Sequence, residues 1–140
     1  MPAHWLVKTE PSTYAFADLV REGRTTWDGV ANALALIHLR AMGKGDLVLV
    51  YHSGGEKAVV GLARVAAGPR PDPKAADERL VVVDLEPVAS ARTPVPLAAI
   101  KAEPRCRDLS LVRQSRLSVM PVADAPWAFL LAAAGLPASR

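Results

Sequence analysis

Two valine-rich segments joined by a short glycine-containing linker constrain the fold of this chain most strongly. Residues 46–52 and 58–66 are rich in valine and leucine, and the linker between them contains Gly54 and Gly55. β-Branched residues favour strands, and a short linker with glycine is typical of a β-hairpin. The sequence therefore predicts two adjacent antiparallel strands and a fold built around a sheet.

Hydrophobic periodicity and end signals predict the other elements. Apolar residues alternate at 4–8, 79–87 and 117–122, which predicts three more strands. Helices are predicted between a cap at Ser12 or Thr13 and Gly23, at 32–42, 97–101 and 109–113, and from a cap at Asp124 to Gly135. Proline is frequent in residues 68–77, so this segment is predicted to be a surface loop.

Burial is expected to follow the same patterns. Val20 should face the core from the first helix, and the helix at 32–42 is apolar on nearly all sides, which predicts that it is mostly buried. The strand at 79–87 alternates, so the face that contains Val82 and Asp84 is expected to be exposed to solvent.

Short strands joined mostly by hairpins, with helices interleaved, predict an α+β fold with a curved or barrel-like sheet and helices packed at its ends and edge. The chain has 140 residues, and if it were divided into two domains each half would be too short to bury a stable core. We therefore expect one domain over 1–140. Residues 136–140 have little apolar surface to bury and are expected to form a frayed tail.

Composition limits the compartment and the partners. Cys106 is the only cysteine, which excludes an internal disulfide and a zinc site built from several thiolates. No apolar run is long enough to cross a membrane and no secretion signal is evident, so a cytoplasmic location is expected. The net charge of +3 permits a nucleic-acid partner without requiring one.

Four segments, in this order and spacing, resemble a known family. They are residues 5–12, the run Trp27 to Val30 followed by Asn32, residues 45–53 and residues 113–122. Together they are similar to the EVE domain, which belongs to the PUA-like superfamily beside the YTH and ASCH domains. The EVE family includes many small bacterial proteins. The resemblance spans nearly the whole chain. It implies a mostly antiparallel PUA-like β-barrel whose polar, aromatic-containing cavity accepts a modified base of DNA or RNA, with no cofactor.

One segment departs from the family pattern. After Val30 the family commonly continues with arginine, asparagine, tyrosine, glutamine, alanine and arginine, whereas this chain keeps only Asn32 of the polar residues there. Alanine or leucine stands at most of the other positions, namely Ala31, Ala33, Leu34 and Leu36. The replacement implies a change in the affinity for the ligand or in its choice.

Base recognition outside a duplex requires a flat surface for stacking and polar groups that reach the pairing edge. The resemblance and the side-chain chemistry together give twelve candidates: Lys8, Glu10, Ser12, Trp27, Asp28, Asn32, Tyr51, His52, Ser53, Arg113, Arg116 and Ser118. Trp27 or Tyr51 would stack on the base. The edge would be read by Asp28, Asn32 and Ser53, and phosphate would be bound by Lys8, Arg113 and Arg116.

Each candidate also has a structural interpretation. Trp27 could belong to the core, and Asp28 or Asn32 could be the N-cap of the helix that follows. Ser12 could be a helix cap, and Lys8 with Glu10 could form an exposed salt bridge. His52 could be satisfied within the fold, because no second histidine or cysteine lies at metal-ligand spacing.

Three functions remain open from the sequence. The leading one is a monomeric module, without metal or membrane partner, that captures one modified nucleobase. A second, implied by the related ASCH domains, is an amidohydrolase of modified nucleosides in which Lys8, Thr9 and Glu10 supply the nucleophile and proton relay. A third is a protein-interaction domain with a vestigial pocket, indicated by the apolar residues Ala33, Leu34 and Leu36.

Overall fold

A computed structural model describes residues 3–137 of the chain. The strands are β1 (His4–Thr9), β2 (Thr25–Trp27), β3 (Leu47–His52), β4 (Ala58–Pro71), β5 (Val81–Pro96) and β6 (Val119–Pro121). The helices are α1 (Phe16–Glu22), α2 (Ala33–Ala41), α3 (Leu97–Ala102), α4 (Ser110–Arg113) and α5 (Asp124–Ala134), with a single 3-10 turn at Pro104–Cys106. The α+β class is confirmed.

All six strands form one sheet in the order β2-β5-β4-β3-β1-β6. The predicted hairpin is present, since β3 and β4 pair in antiparallel fashion. The strands β1 and β3 are parallel, with Lys8 opposite Tyr51, and every other neighbouring pair is antiparallel. The sheet is therefore mostly antiparallel, with one parallel pair beside the edge strand β6.

The expected barrel is not formed, because the two ends of the sheet do not pair with each other in the described chain. Both edge strands, β2 and β6, have only three residues. Gly29 follows β2 with a left-handed φ of 77°, which turns the chain away, and β6 ends at Pro121, which has no backbone donor. Helix α2 packs against β5, beside one edge, and against β6, the other edge. Helix packing thus takes the place of strand pairing between the two edges.

The predicted loop at 68–77 is wrong in its first part. Strand β4 continues to Pro71 and pairs with an early part of β5, with Arg70 opposite Val82. The register between β4 and β5 shifts four times, and such bulges accommodate prolines that cannot donate to the ladder. The strand predicted to end at residue 87 likewise continues to Pro96.

Two expectations of burial on the helices are also wrong. In α2, Ile37 is 57% exposed and Leu34 is 38% exposed, although Leu36 and Leu39 are buried. Val20 of α1 is 48% exposed. A surface helix buries one stripe against the sheet, and its opposite face meets solvent whatever its composition.

The face of β5 expected to be wet is largely covered. Val82 is fully buried and the Asp84 side chain is only 13% exposed. Asp84 is covered by Arg24, Thr26 and Arg70, which bond to it. The helices α1, α2 and α5 also pack against β5.

A buried carboxylate holds the start of the sheet together. Asp46 accepts hydrogen bonds from the indole Nε1 of Trp5 at 2.9 Å and from the backbone N–H groups of Gly43 at 2.8 Å and Ala3 at 3.2 Å. The carboxylate therefore stays satisfied although Asp46 is buried.

The chain beyond α5 begins in an ordered way. Leu136 is buried, and its N–H donates to the carbonyl oxygen of Leu131 at 2.9 Å. The rest of the expected tail, residues 138–140, lies outside the described residues. None of the helices between residues 3 and 137 is both long and apolar enough to cross a membrane.

Candidate functional site

A cleft of about 750 Å³ opens at one end of the sheet. It is lined by Lys8, Thr9, Glu10, Thr13, Tyr14, Arg24, Thr25, Thr26, Trp27, Asp28, Gly29, Val30, Lys74 and Ser118. These residues come from the end of β1, the loop before α1, strand β2 with the residue before it and the turn after it, the loop after β4, and the residue before β6. A volume of this size falls within the range of pockets that hold small ligands.

Strand directions explain why these segments meet. Strand β6 runs antiparallel to β1, so the beginning of β6 lies beside the end of β1, and the Lys8 N–H donates to the Ser118 carbonyl oxygen at 2.9 Å. The opposite edge of the sheet contributes β2. The cleft therefore lies between the two edges of the sheet, where a barrel would have closed.

Lys8 is half-buried in this cleft and firmly placed. Its Nζ donates to the carbonyl oxygen of Ser115 at 2.7 Å and lies 5.9 Å from the centroid of the Tyr51 ring. Burial lowers the pKa of the Lys8 ammonium below its ordinary value. The cleft thus contains a fixed donor that is less hydrated than a surface lysine.

Trp27 and Tyr14 form an aromatic corner. Their ring centroids are 6.0 Å apart and the ring planes meet at 86°, an edge-to-face contact. Trp27 is only 8% exposed, but its indole N–H has no acceptor within residues 3–137. Because no side-chain polar atom of that region is both sealed from solvent and unpaired, this N–H is not completely sealed from the cleft.

The β2 wall is anchored to the sheet by Asp84. This carboxylate accepts hydrogen bonds from Arg24, Arg70 and Thr26, each at 2.9 Å. Burial by itself would raise the pKa of Asp84, but these hydrogen bonds outweigh burial and lower it. Asp28, just after β2, is exposed and has no hydrogen-bond partner in the described chain.

Glu10 is oriented by its own loop. Its Oε1 accepts from the Ser12 backbone N–H at 2.8 Å and from the Ser12 hydroxyl at 2.7 Å. The Ser12 side-chain bond, followed by the backbone bond, lowers the pKa of the Glu10 carboxyl. Helix α1 starts at Phe16, later than predicted. Neither Ser12 nor Thr13 caps it; the contact at this end is the N–H of Ala15, which donates to the Asp18 carboxylate.

A second depression of about 350 Å³ adjoins the cleft, and we call it the arginine groove. It is lined by Asn32, Leu34, Arg113, Gln114, Ser115, Arg116 and Leu117. Arg113 and Arg116 are exposed, and neither has an acidic partner between residues 3 and 137. The bond from Lys8 to the Ser115 carbonyl oxygen joins the two depressions.

Sequence comparison assigns the family. Residues 3–133 match the family model of the EVE domain. The chain belongs to the EVE domain family. It is 26% identical to human thymocyte nuclear protein 1 over 165 residues, a match that covers 94% of this chain and 73% of that protein.

Solved structures resemble this EVE domain along nearly its full length. An NMR structure of a Rhodopseudomonas palustris protein is 41% identical, with a TM-score of 0.89 over 95% of this chain and 93% of that one. Human thymocyte nuclear protein 1 in complex with DNA containing 5-methylcytosine is 25% identical, with a TM-score of 0.87 over 96% and 99% of the two chains. An ASCH protein of Zymomonas mobilis, 12% identical with a TM-score of 0.63 over 93% and 94%, shares the fold.

The EVE domain brings eight of the twelve predicted residues to these two depressions. The cleft contains Lys8, Glu10, Trp27, Asp28 and Ser118, and the arginine groove contains Asn32, Arg113 and Arg116. Asn32 is also the N-cap of α2, since its Oδ1 accepts from the Ala35 N–H at 3.0 Å.

The other four predicted residues line neither depression. His52 joins β3 to α1: its Nε2 accepts from the Phe16 N–H at 3.0 Å, which leaves its Nδ1–H to donate to Glu56 at 2.7 Å. The Tyr51 side chain is buried beneath Lys8. The Ser53 N–H donates to the Thr9 carbonyl oxygen, and Ser12 bonds to Glu10.

Several lining residues were not predicted. Tyr14 is one of only two tyrosines and follows the end of a predicted strand, and these two features together could have indicated that it lines the cleft. Lys74 reaches the cleft from the long loop after β4, and nothing in its neighbourhood in the sequence indicates that approach. Within residues 3–137, no group of three or more histidine, cysteine or carboxylate side chains could hold a metal ion.

Proposed function

We propose that this EVE domain binds nucleic acid and holds one nucleobase, with 5-methylcytosine in DNA as the first candidate, in the cleft. The observation that carries the proposal is the cleft itself, which contains the aromatic corner and the free carboxylate of Asp28. The adjoining arginine groove contains two arginines without an acidic partner among the described residues. Its support from comparison is the complex of human thymocyte nuclear protein 1 with DNA containing 5-methylcytosine.

The polar groups of the cleft complement a cytosine edge. Cytosine presents an exocyclic amine that donates, beside ring acceptors on its pairing edge. The exposed carboxylate of Asp28 can accept from the amine, while Lys8 Nζ and the N–H of Trp27 can donate to the acceptors. The aromatic corner offers apolar surface to the ring and its methyl group.

The arginine groove suits the backbone on either side of the held base. Guanidinium groups bind phosphate oxygens in a fork of two hydrogen bonds. Arg113 and Arg116 are free to do so, because no carboxylate among the described residues engages them. Phosphate contacts of this kind supply affinity and position but carry no sequence information.

The direct test is a titration of the purified protein with fluorescent oligonucleotides that differ only in one methyl group on cytosine. We expect tighter binding to the methylated strand, and about tenfold weaker binding after Asp28→Asn, which replaces one of the two carboxylate oxygens with a donor. The matched control is Asp108→Asn, an exposed aspartate that lines neither depression. Equal affinity for both oligonucleotides, or equal losses in the two variants, would refute the proposed recognition.

One observation favours the amidohydrolase as a second candidate. Burial lowers the pKa of Lys8, which raises the fraction of its neutral, nucleophilic amine. Against it, the Lys8 amine is bonded to a backbone carbonyl and Glu10 is bonded to Ser12, so the two do not contact each other as a relay. Mass spectrometry of the bound nucleoside separates the two candidates: a reader returns it intact, and a hydrolase returns it without its acyl group.

A further inference from the structure

Leu34 is an exposed apolar side chain in a cationic setting. It lies in the first turn of α2, is 38% exposed, and lines the arginine groove with Arg113 and Arg116. Those arginines would hold phosphates of a bound strand, so the leucine would meet the bases or sugars of the same strand. A single exposed leucine is ordinary by itself, and it is the place of Leu34 beside two arginines without an acidic partner in the described chain that puts it against a bound strand.

The position of Leu34 relative to the cleft is fixed by two chain segments. Val30 lines the cleft while Asn32 and Leu34 line the groove, and Ser118 lines the cleft while Leu117 lines the groove. A strand that places one base in the cleft and its phosphates in the groove must therefore pass Leu34.

Extraction of a base from a duplex leaves a gap in the stack. Unstacking a base is unfavourable, and proteins that distort DNA offset this cost by inserting apolar side chains between base steps. A single strand has no such gap to fill. A side chain that fills the gap therefore strengthens binding to duplexes selectively.

We propose that Leu34 enters the duplex at the place vacated by the base held in the cleft, so that the preferred ligand is double-stranded DNA. This inference rests on the proposed function. The side chain is held ready for insertion, because Asn32 caps α2 and Leu36 and Leu39 anchor the helix in the core. Insertion thus requires no ordering of a loop.

The same helix supplies a matched control. Ile37 is 57% exposed, more than Leu34, but it lines a separate depression with Ala33 and Leu80 and not the arginine groove. Removal of either side chain leaves the core of α2 intact. Leu34→Ala and Ile37→Ala therefore differ mainly in which surface loses apolar area.

The experiment measures binding of the wild type, Leu34→Ala, Leu34→Met and Ile37→Ala to three probes of one sequence. The probes are a duplex with one 5-methylcytosine, the same duplex with that base mismatched, and the methylated single strand. We expect Leu34→Ala to lose about tenfold in affinity for the paired duplex, less for the mismatched duplex, and nothing for the single strand. Leu34→Met, which keeps the apolar volume, and Ile37→Ala should bind all three like the wild type.

A second readout follows the base directly. A 2-aminopurine placed next to the methylated cytosine should become more fluorescent when wild-type protein unstacks it, and much less so with Leu34→Ala. Unchanged duplex binding by Leu34→Ala, an equal loss on duplex and single strand, or a wild type that prefers single strands would overturn the role of Leu34 while the proposed function stands. A wild type that binds none of the methylated probes would overturn both.

Discussion

Single side chains of this EVE domain often connect the fold to the cleft, and Asp84 is the clearest example. It receives Arg24 and Thr26 from the cleft wall and Arg70 from the neighbouring strand. The lowered pKa of Asp84 shows that the folded state favours its charged form. A group of this kind stabilises the fold above the pKa that it has in the unfolded chain, and loses that contribution as the pH falls towards its folded pKa.

Asp84→Asn is therefore expected to destabilise the protein in a pH-dependent way. The free energy of unfolding should fall by about 2 kcal/mol at about pH 7, because three hydrogen bonds lose a charged acceptor. The difference from wild type should shrink at about pH 3, which lies below the ordinary pKa of an aspartate, because the stabilisation from a lowered folded-state pKa fades as the pH falls through this range. Urea denaturation at the two pH values measures both quantities, and a difference that does not change with pH would contradict the assignment.

Asn32 has a structural role in addition to its proposed contact with nucleic acid, and two substitutions separate them. Asn32→Ala removes the cap of α2 and should lower the free energy of unfolding by about 1 kcal/mol, whereas Asn32→Ser retains a capping oxygen and should cost much less. Thermal or urea denaturation checks the stability. Loss of nucleic-acid binding in both variants alike would show a ligand contact by the amide group that a serine does not replace.

At the scale of elements, the contact between α1 and β4 depends on the absence of a side chain. A Cβ added to Gly61 of β4 would collide with the Phe16 ring at the start of α1. Phe16 also gives its backbone N–H to His52, so α1 cannot easily shift to make room. The position of α1, and with it the loop that carries Glu10 and Tyr14, is thus set by one glycine.

Gly61→Ala is expected to lower the free energy of unfolding by about 2 kcal/mol, the usual cost of overpacking a core. Phe16→Leu should reduce that cost, because the smaller side chain leaves space for the added methyl group. A double-mutant cycle by urea denaturation gives the coupling between the two positions. Additive effects would mean that the two side chains do not compete for the same volume.

Sequence patterns predicted the elements well where local chemistry decides them. The hairpin of β3 and β4, the glycine ends of α1 and α5 and the positions of α3 and α4 follow from propensity and capping. Strand β2 was missed because three residues are too few for a period, and it exists through pairing with β5. The extension of β4 through Pro69 was missed because its pairing with β5, which bulges make possible, overrides the local effect of proline.

At the scale of the molecule, the salt dependence of nucleic-acid binding should show which positive charges contact phosphate. The binding constant falls with salt, and loss of one phosphate contact makes this fall less steep. Arg116→Ala should therefore reduce the magnitude of the negative slope of log K against log salt by about 1. Arg107→Ala removes the same charge from an exposed arginine that lines neither depression and should leave the slope nearly unchanged. Equal slopes for wild type and Arg116→Ala would remove Arg116 from the interface.

The composition of the candidate site was predictable only in part, for a reason that also lies at this scale. Family motifs indicated Lys8, Trp27 and Asp28, all of which line the cleft. The motif residues Tyr51 and His52 line neither depression, because Lys8 lies over the Tyr51 ring and His52 accepts the N–H of Phe16 at the start of α1. Which side of a strand faces a cavity depends on packing against distant segments, and a local motif does not contain that information.

The cleft is built almost wholly from residues that the core does not need. Of its fourteen lining residues, only Trp27 and Val30 are buried. Substitutions at the exposed positions whose side chains make no hydrogen bond within residues 3–137, such as Asp28 and Lys74, should change the free energy of unfolding little, since surface side chains of this kind usually contribute within about 0.5 kcal/mol. Relatives with this architecture can therefore diverge in what they recognise by successive mutations at the rim, each of them tolerated by the scaffold, so that ligand choice evolves faster than shape.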